Sequence, residues 1–168
     1  MILERFSDRL ALLERSRTVA IVGASANTTR PSYFVFSYLR TQGRLEPIPV
    51  NPRIDAIDGV KAYPSLAALA RERGAPDIVD VFRNPADAAE AAREAVAVGA
   101  KAVWFQYGVA SDEAVRIADA AGLEVVVNRC IKVESARFDG GLSVGGFNSG
   151  LVSSRRGRPL GPGASKAR

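Results

Sequence analysis

Residues Thr18–Ser32, TVAIVGASANTTRPS, hold the groups whose spacing points most directly to chemistry. An apolar run, Val19-Ala20-Ile21-Val22, meets Gly23-Ala24-Ser25, then a polar loop through Thr28, then Arg30-Pro31 at the start of a helical pattern. A strand that turns through small residues into a helix points backbone N–H groups outward, and the helix dipole adds positive potential there. Pro31 suits the first helical position, where its missing N–H had no partner to lose. Such a corner binds anions, phosphate groups above all. A lone glycine turn also serves as a plain strand-to-helix connection, so support must come from elsewhere in the chain.

The departures from the dinucleotide fingerprint narrow the ligand. That fingerprint is G-x-G-x-x-G, followed by an acid at the end of the next strand for the ribose hydroxyls. Ser25 and Thr28 stand where its second and third glycines belong. The next apolar run, Pro47-Ile48-Pro49-Val50, ends in Asn51-Pro52-Arg53 with no acid. A phosphorylated ribose, as in NADP or coenzyme A, suits Asn51 and Arg53 better than a free one.

These corners need elements to hold them. Leu3, Phe6, Leu10 and Leu13 recur at helical spacing, which predicts an amphipathic helix over 2–15. Further helices are expected at 31–41, 65–73, 85–98 and 112–121, with Ser65, Asn84 and Ser111 as N-caps. A last helical turn or two is expected within 130–138. The helix at 31–41, PSYFVFSYLRT, is apolar on nearly every side. It is therefore buried on two faces or lies in an interface between copies, as in a homodimer. Strands are expected at 18–22, 46–50, 77–82, 101–106 and 123–127. Near-continuous Val and Ile runs alternating with helices specify an α/β fold, a doubly wound parallel sheet of five strands. The expected strand order is 3-2-1-4-5. Ligands of such sheets sit at the carboxyl ends of the strands, beside the switch point.

The five strand ends pick out residues. They are Gly23-Ala24-Ser25, Asn51-Pro52-Arg53, Phe82-Arg83-Asn84, Gln106-Tyr107-Gly108 and Asn128-Arg129-Cys130. Arg30, Arg53, Arg83 and Arg129 focus positive charge at this edge, which suits a polyanion. Phe82 and Tyr107 offer flat surfaces to a base or an apolar arm, or simply cap the core. Asp80 is a charge inside an apolar strand, so it needs partners. It either ties a neighbouring loop through backbone N–H groups or touches ligand. Cys130 is either a small core residue or a thiol whose pKa is lowered by the flanking Arg129 and Lys132.

Composition sets the outer bounds. A chain of 168 residues fits one domain. No apolar run is long enough to span a membrane, and the first turns carry Glu4 and Asp8 rather than a signal-peptide pattern. One cysteine excludes an internal disulfide and suits the cytoplasm. The formal charge is +5, from 23 basic and 18 acidic residues. Five of the basic residues (Arg155, Arg156, Arg158, Lys166, Arg168) lie beyond Ser154, so the remaining 18 balance the 18 acids. The expected organisation is one domain over 1–150 and a basic Gly/Pro-rich disordered tail over 151–168. Without interleaved aromatics, that tail is weak grounds for nucleic-acid binding. The chain has no histidine, which removes the commonest general acid–base and, with a single cysteine, argues against a metal centre.

Six segments taken in order carry a resemblance. They are Val22-Gly23-Ala24-Ser25, Arg30-Pro31-Ser32-Tyr33, Pro49-Val50-Asn51-Pro52, Asp77–Arg83, Val103-Trp104-Phe105-Gln106 and Asn128-Arg129-Cys130. Over about residues 15–138 the chain resembles the small bacterial and archaeal CoA-binding proteins. These are single Rossmann-like domains, similar to the CoA-binding domain of the succinyl-CoA synthetase α subunit. The resemblance implies that Gly23, Ala24 and Ser25, with the loop through Thr28 to Arg30, contact the CoA pyrophosphate. It places Asn51, Pro52 and Arg53 near the adenosine and its 3′-phosphate. Phe82 and Arg83 would flank the nucleotide, and Gln106, Tyr107 and Gly108 would line the pantetheine path. The family often has an acid where this chain has Asn128. The synthetase carries its phosphohistidine in a second domain, and this chain has no histidine at all. The expectation is a binding or sensing module for CoA or acyl-CoA without catalysis of its own. Two alternatives stay open. One is an NADP-dependent oxidoreductase. The other is a thiol-redox role in which Cys130 forms a mixed disulfide with CoA.

Overall fold

The computed structural model describes residues 1–139, and for Phe138 and Asp139 the backbone alone. The expected boundary at 150 and the tail over 151–168 lie outside the described residues. Along the chain come α1 (Phe6–Arg15), β1 (Thr18–Val22), α2 (Pro31–Gln42), β2 (Glu46–Val50), β3 (Ala56–Ile57) and β4 (Val60–Lys61). They are followed by α3 (Leu66–Arg73), β5 (Ile78–Val81), a 3-10 turn (Pro85–Asp87), α4 (Ala88–Ala97), β6 (Ala102–Phe105), α5 (Asp112–Ala120), β7 (Glu124–Val127) and α6 (Ile131–Asp139). β3 and β4 form a small hairpin across Asp58-Gly59, both at positive φ as a tight two-residue turn requires.

Five strands make one parallel sheet in the order β2-β1-β5-β6-β7. The doubly wound, Rossmann-like class is as the alternation of elements predicts. The place where the winding reverses differs from 3-2-1-4-5. Numbered along the chain, the five parallel strands lie 2-1-3-4-5. The strand at 78–81 pairs with β1, Val19 opposite Ile78 and Val22 opposite Val81, instead of lying outside β2. The reason is which face each helix covers. α2 buries Val35, Phe36 and Leu39 against Val19 and Ile21 on one face. α3 buries Leu66 and Leu69 against Ala20, Val22 and Val79 on the other. With right-handed crossovers, a change of face is a change of direction, so the chain turns back after β2. The switch point thus falls between β1 and β5.

Local rules hold each element. The Ser65 and Ser111 hydroxyls accept from the Ala68 and Ala114 N–H groups, as expected of N-caps. Asn84 makes no side-chain cap, because the chain enters α4 through the 3-10 turn instead. The apolar α2 is accounted for largely within the chain, and Phe34 alone of its large apolar side chains stays exposed, at 51%. Among the described residues, no helix is long and apolar enough to cross a membrane.

α1 and α6 are tied to one another. Arg9 Nε donates to Glu134 Oε2 at 2.9 Å with both side chains buried, and Arg9 Nη1 also reaches the Leu3 and Glu4 carbonyls. The first residues bridge onto β7, where Leu3 N donates to Val125 O and Val125 N to Met1 O. This clamp positions α6, whose first turn reaches the carboxyl edge of the sheet.

Candidate functional site

One cleft runs along the carboxyl edge, in two limbs that share Gly23, Phe82 and Arg83. The larger limb, about 660 Å³, lies between the first turns of α2 and α6. Its walls are mostly apolar (Pro31, Phe34, Val35, Phe82, Val109, Val133), with Arg30, Gln106, Cys130 and Lys132 among them. The smaller limb, about 410 Å³, is polar and includes Asn51, Arg53, Asn84 and Asp87.

Gly23 is the hinge between the limbs. Its φ is +84°, and a Cβ built there would stand 2.6 Å from the Phe82 carbonyl oxygen. Glycine is needed for this close approach of β1 and β5 rather than as an anion donor, since its N–H goes to Val50 O at 3.0 Å. Asn51 works in the same way: its Nδ2 donates to Ala24 O at 2.7 Å, and its Oδ1 accepts from Arg53 N at 2.9 Å. Asn51 therefore locks the β2 corner onto the β1 turn.

The loop beyond Gly23 is folded on itself. Asn27 N donates to Ser25 Oγ, and both the N–H and the hydroxyl of Thr29 reach Asn27 Oδ1. The N-cap of α2, Arg30, makes no side-chain cap, so the helix opens uncapped onto the cavity, with Pro31 and Ser32 in its wall. Arg83 is also near Glu94, at 3.9 Å.

The expected site residues therefore divide. Gly23, Ser25, Arg30, Asn51, Pro52, Arg53, Phe82, Arg83, Gln106 and Tyr107 come together around the cleft. Ala24, Thr28, Gly108 and Arg129 are not part of its wall. Ala24 is fully buried and serves through its carbonyl, and Thr28 is exposed in the loop. Gly108 N donates to Asn128 Oδ1, and the Arg129 guanidinium reaches the Asn128 carbonyl. Asn128 thus holds the β6 corner, with its own φ at 54°. Phe34, Val35, Val109, Lys132, Val133 and Asp87 also line the cleft, beyond the residues the sequence singles out. The greasy first turn of α2 was the available signal for Phe34 and Val35. Asp87 had none: an acid absent from the end of β2 reaches that limb from the turn before α4.

Asp80 is wholly buried in β5. Its Oδ1 accepts from Gln106 Nε2 at 2.7 Å, while Oδ2 has no partner. It ties a side chain of the cleft wall, rather than a loop through backbone N–H groups. Burial pushes its carboxyl up to about 8, against the pull of Gln106. Cys130 follows the first of its two readings, a small core residue, and not the lowered thiol. Burial pushes the thiol up, outweighing the Val133 and Lys132 N–H groups that face the sulfur, and the Asp80 charge pushes it further. Among the described residues, no cluster of three acids or thiols could hold a metal ion.

The fold and the edge cleft define a Rossmann-like ligand-binding domain. More particularly, the chain belongs to the CoA binding domain family, which matches residues 17–136. It is 38% identical over 125 residues to the uncharacterized protein YneT of Bacillus subtilis (strain 168), covering 74% of this chain and 90% of that one. It is similar to a hypothetical protein from Pyrococcus horikoshii OT3, with 37% identity, a TM-score of 0.74, and 79% and 91% of the two chains covered. It is also similar to the Thermus thermophilus protein cell-free ID.343, at 35% identity and a TM-score of 0.73, over 79% and 98% of the two chains.

Proposed function

We propose that this chain binds coenzyme A or an acyl-CoA in the two-limbed cleft, as a binding or sensing module without catalysis of its own. The observation that carries this reading is the division of the cleft. A polar limb with Asn51, Arg53 and Asn84 joins, at Gly23, Phe82 and Arg83, an apolar limb with Phe34, Val35, Val109 and Val133. CoA has the same division: a phosphorylated nucleotide at one end and a long, weakly polar arm at the other. In this reading Arg53 faces the 3′-phosphate, and Asp87 accepts from a ribose hydroxyl. Ser25 and Arg30 take the pyrophosphate beside the open end of α2. Gln106, Tyr107 and the apolar walls hold the arm. All these groups lie on one protomer. A lone thiol is consistent with a reducing compartment such as the cytoplasm.

Calorimetry of CoA, 3′-dephospho-CoA and NADP against the full chain tests the reading. CoA should bind at micromolar levels or better and lose at least about tenfold, roughly 1.4 kcal/mol, without the 3′-phosphate. Arg53→Gln should remove most of that difference. Binding of NADP with none of CoA would overturn the reading in favour of an oxidoreductase.

A further inference from the structure

We propose that Arg83 reads the diphosphate bridge of the ligand at the junction of the two limbs, with Glu94 as the counter-charge that tempers its hold. The proposal rests on the CoA reading above and deepens it. The limbs meet at Gly23, Phe82 and Arg83. A molecule lying in both limbs must cross these three residues. The Gly23 N–H is spent on Val50 O, and the Phe82 N–H on Val22 O. The Phe82 side chain carries no polar atom. The free donors of the junction therefore belong to Arg83, the one charged residue common to both limbs. Its place follows from the fold. Arg83 comes two residues after β5, at the switch point beside β1, where Gly23 lets the two strand ends close on each other.

The state of the Arg83 side chain is a second observation. Arg30 and Arg53 stand exposed, whereas the Arg83 side chain is only 29% exposed. Among the described residues its guanidinium makes no hydrogen bond. The acid that faces it is Glu94 of α4, with 3.9 Å from Nη2 to Oε2, too long for a hydrogen bond. Glu94 Oε2 is itself buried and has no hydrogen-bond partner. Polar groups withdrawn from water are normally paired. Here a guanidinium with five N–H donors and a carboxylate are close enough to attract and too far apart to bond. Glu94 is not part of the cleft wall, so the Arg83 donors are left for a group inside the cleft.

The chemistry of that group follows. A guanidinium offers donors and positive charge and no acceptor, in a fork that matches two oxygens of one anion. The anion must lie in the middle of the ligand, because Arg83 belongs to both limbs. A carboxylate terminates the chain that bears it. A phosphate can be bonded on both sides and still carry charge. In CoA the group between the nucleotide and the arm is the 5′-diphosphate, and Ser25 and Arg30 reach the same bridge from the apolar limb's wall. The ligand class is a nucleotide joined to a weakly polar arm through a phosphoanhydride, rather than a nucleotide or an acyl chain alone. Glu94 offsets part of the Arg83 charge and repels the bridge, which holds the affinity below what the arginine would give by itself.

The test is calorimetry of CoA and 3′-dephospho-CoA on the full chain and its variants. Both ligands carry the bridge, so Arg83→Gln should weaken both by the same factor, at least about tenfold. That equality separates Arg83 from Arg53, whose loss narrows the gap between the two ligands. The retained gap also shows that the cleft of the variant is folded. Arg83→Lys keeps the charge without the fork and should recover only part of the affinity. Glu94→Gln removes the counter-charge and should strengthen both ligands several-fold. Binding that Arg83→Gln leaves unchanged would overturn the proposal. A loss confined to CoA would do so too, since it would put Arg83 at the 3′-phosphate. If the wild type binds neither ligand, the CoA reading itself fails. Unchanged or weaker binding by Glu94→Gln would remove Glu94 from the proposal.

Discussion

At the scale of single residues, Gly23 and Asp80 carry the sharpest consequences. Gly23→Ala places a methyl group against the Phe82 carbonyl and forces a positive φ on an L side chain. The expected loss is about 2 kcal/mol or more, read by urea denaturation. CoA affinity should fall with it, since the two limbs meet there. Asp80 gives a pH dependence whose sign follows from its raised carboxyl. The folded chain holds this proton up to about pH 8, whereas the unfolded chain releases it near about pH 4. Its contribution is therefore full below about pH 4 and is lost as pH rises through about 8, by at most roughly 1.4 kcal/mol per pH unit. Asp80→Asn keeps an acceptor for Gln106 and abolishes the titration. The variant should gain on the wild type between about pH 5 and 8, and parallel stability profiles would contradict the assignment.

Among elements, α6 is the one whose placement the site depends on, since its first turn brings Cys130, Lys132 and Val133 into the apolar limb. The buried Arg9–Glu134 pair anchors it to α1. Removing Arg9 leaves the buried Glu134 carboxylate with only the half-exposed Arg137, 3.2 Å from its Oε1. Because Arg137 still pairs with Glu134, Arg9→Met should cost less than the roughly 3–5 kcal/mol of an uncompensated buried charge in denaturant melts, and replacing both residues with apolar ones should cost less again. A double-mutant cycle measures the difference. The caps at Ser65 and Ser111 are smaller effects, about 1 kcal/mol each on substitution by alanine.

For the whole molecule, the decisive quantity is where charge lies rather than how much there is. The whole excess of basic residues falls beyond Ser154, yet the cleft draws Arg30, Arg53 and Arg83 to one edge. CoA affinity should therefore fall several-fold between low and high salt, as exposed ion pairs are screened within about 10 Å at 0.1 M. Calorimetry across a salt series checks this. An affinity indifferent to salt would mean that the arm, rather than the phosphates, supplies the binding.

Much of this was legible before any fold was seen. The alternation of apolar strands and patterned helices required a doubly wound parallel sheet, and the rule of strand ends pointed to Gly23, Asn51, Phe82 and Gln106. These are local signals, set by side-chain periodicity and turn chemistry. Tertiary structure alone decided which strand lies beside β1, because that depends on which face α3 covers. It brought Asp87 into the polar limb and kept Arg129 out of the cleft. It also decided between the two readings of Cys130: neighbours in sequence allowed a lowered thiol, but burial and the Asp80 carboxyl, 50 residues away in the chain, raise it. Sequence determines what each segment can form and what chemistry it carries. Burial and long-range proximity exist only once the segments pack, and they set the ionisation and the neighbours that this site depends on.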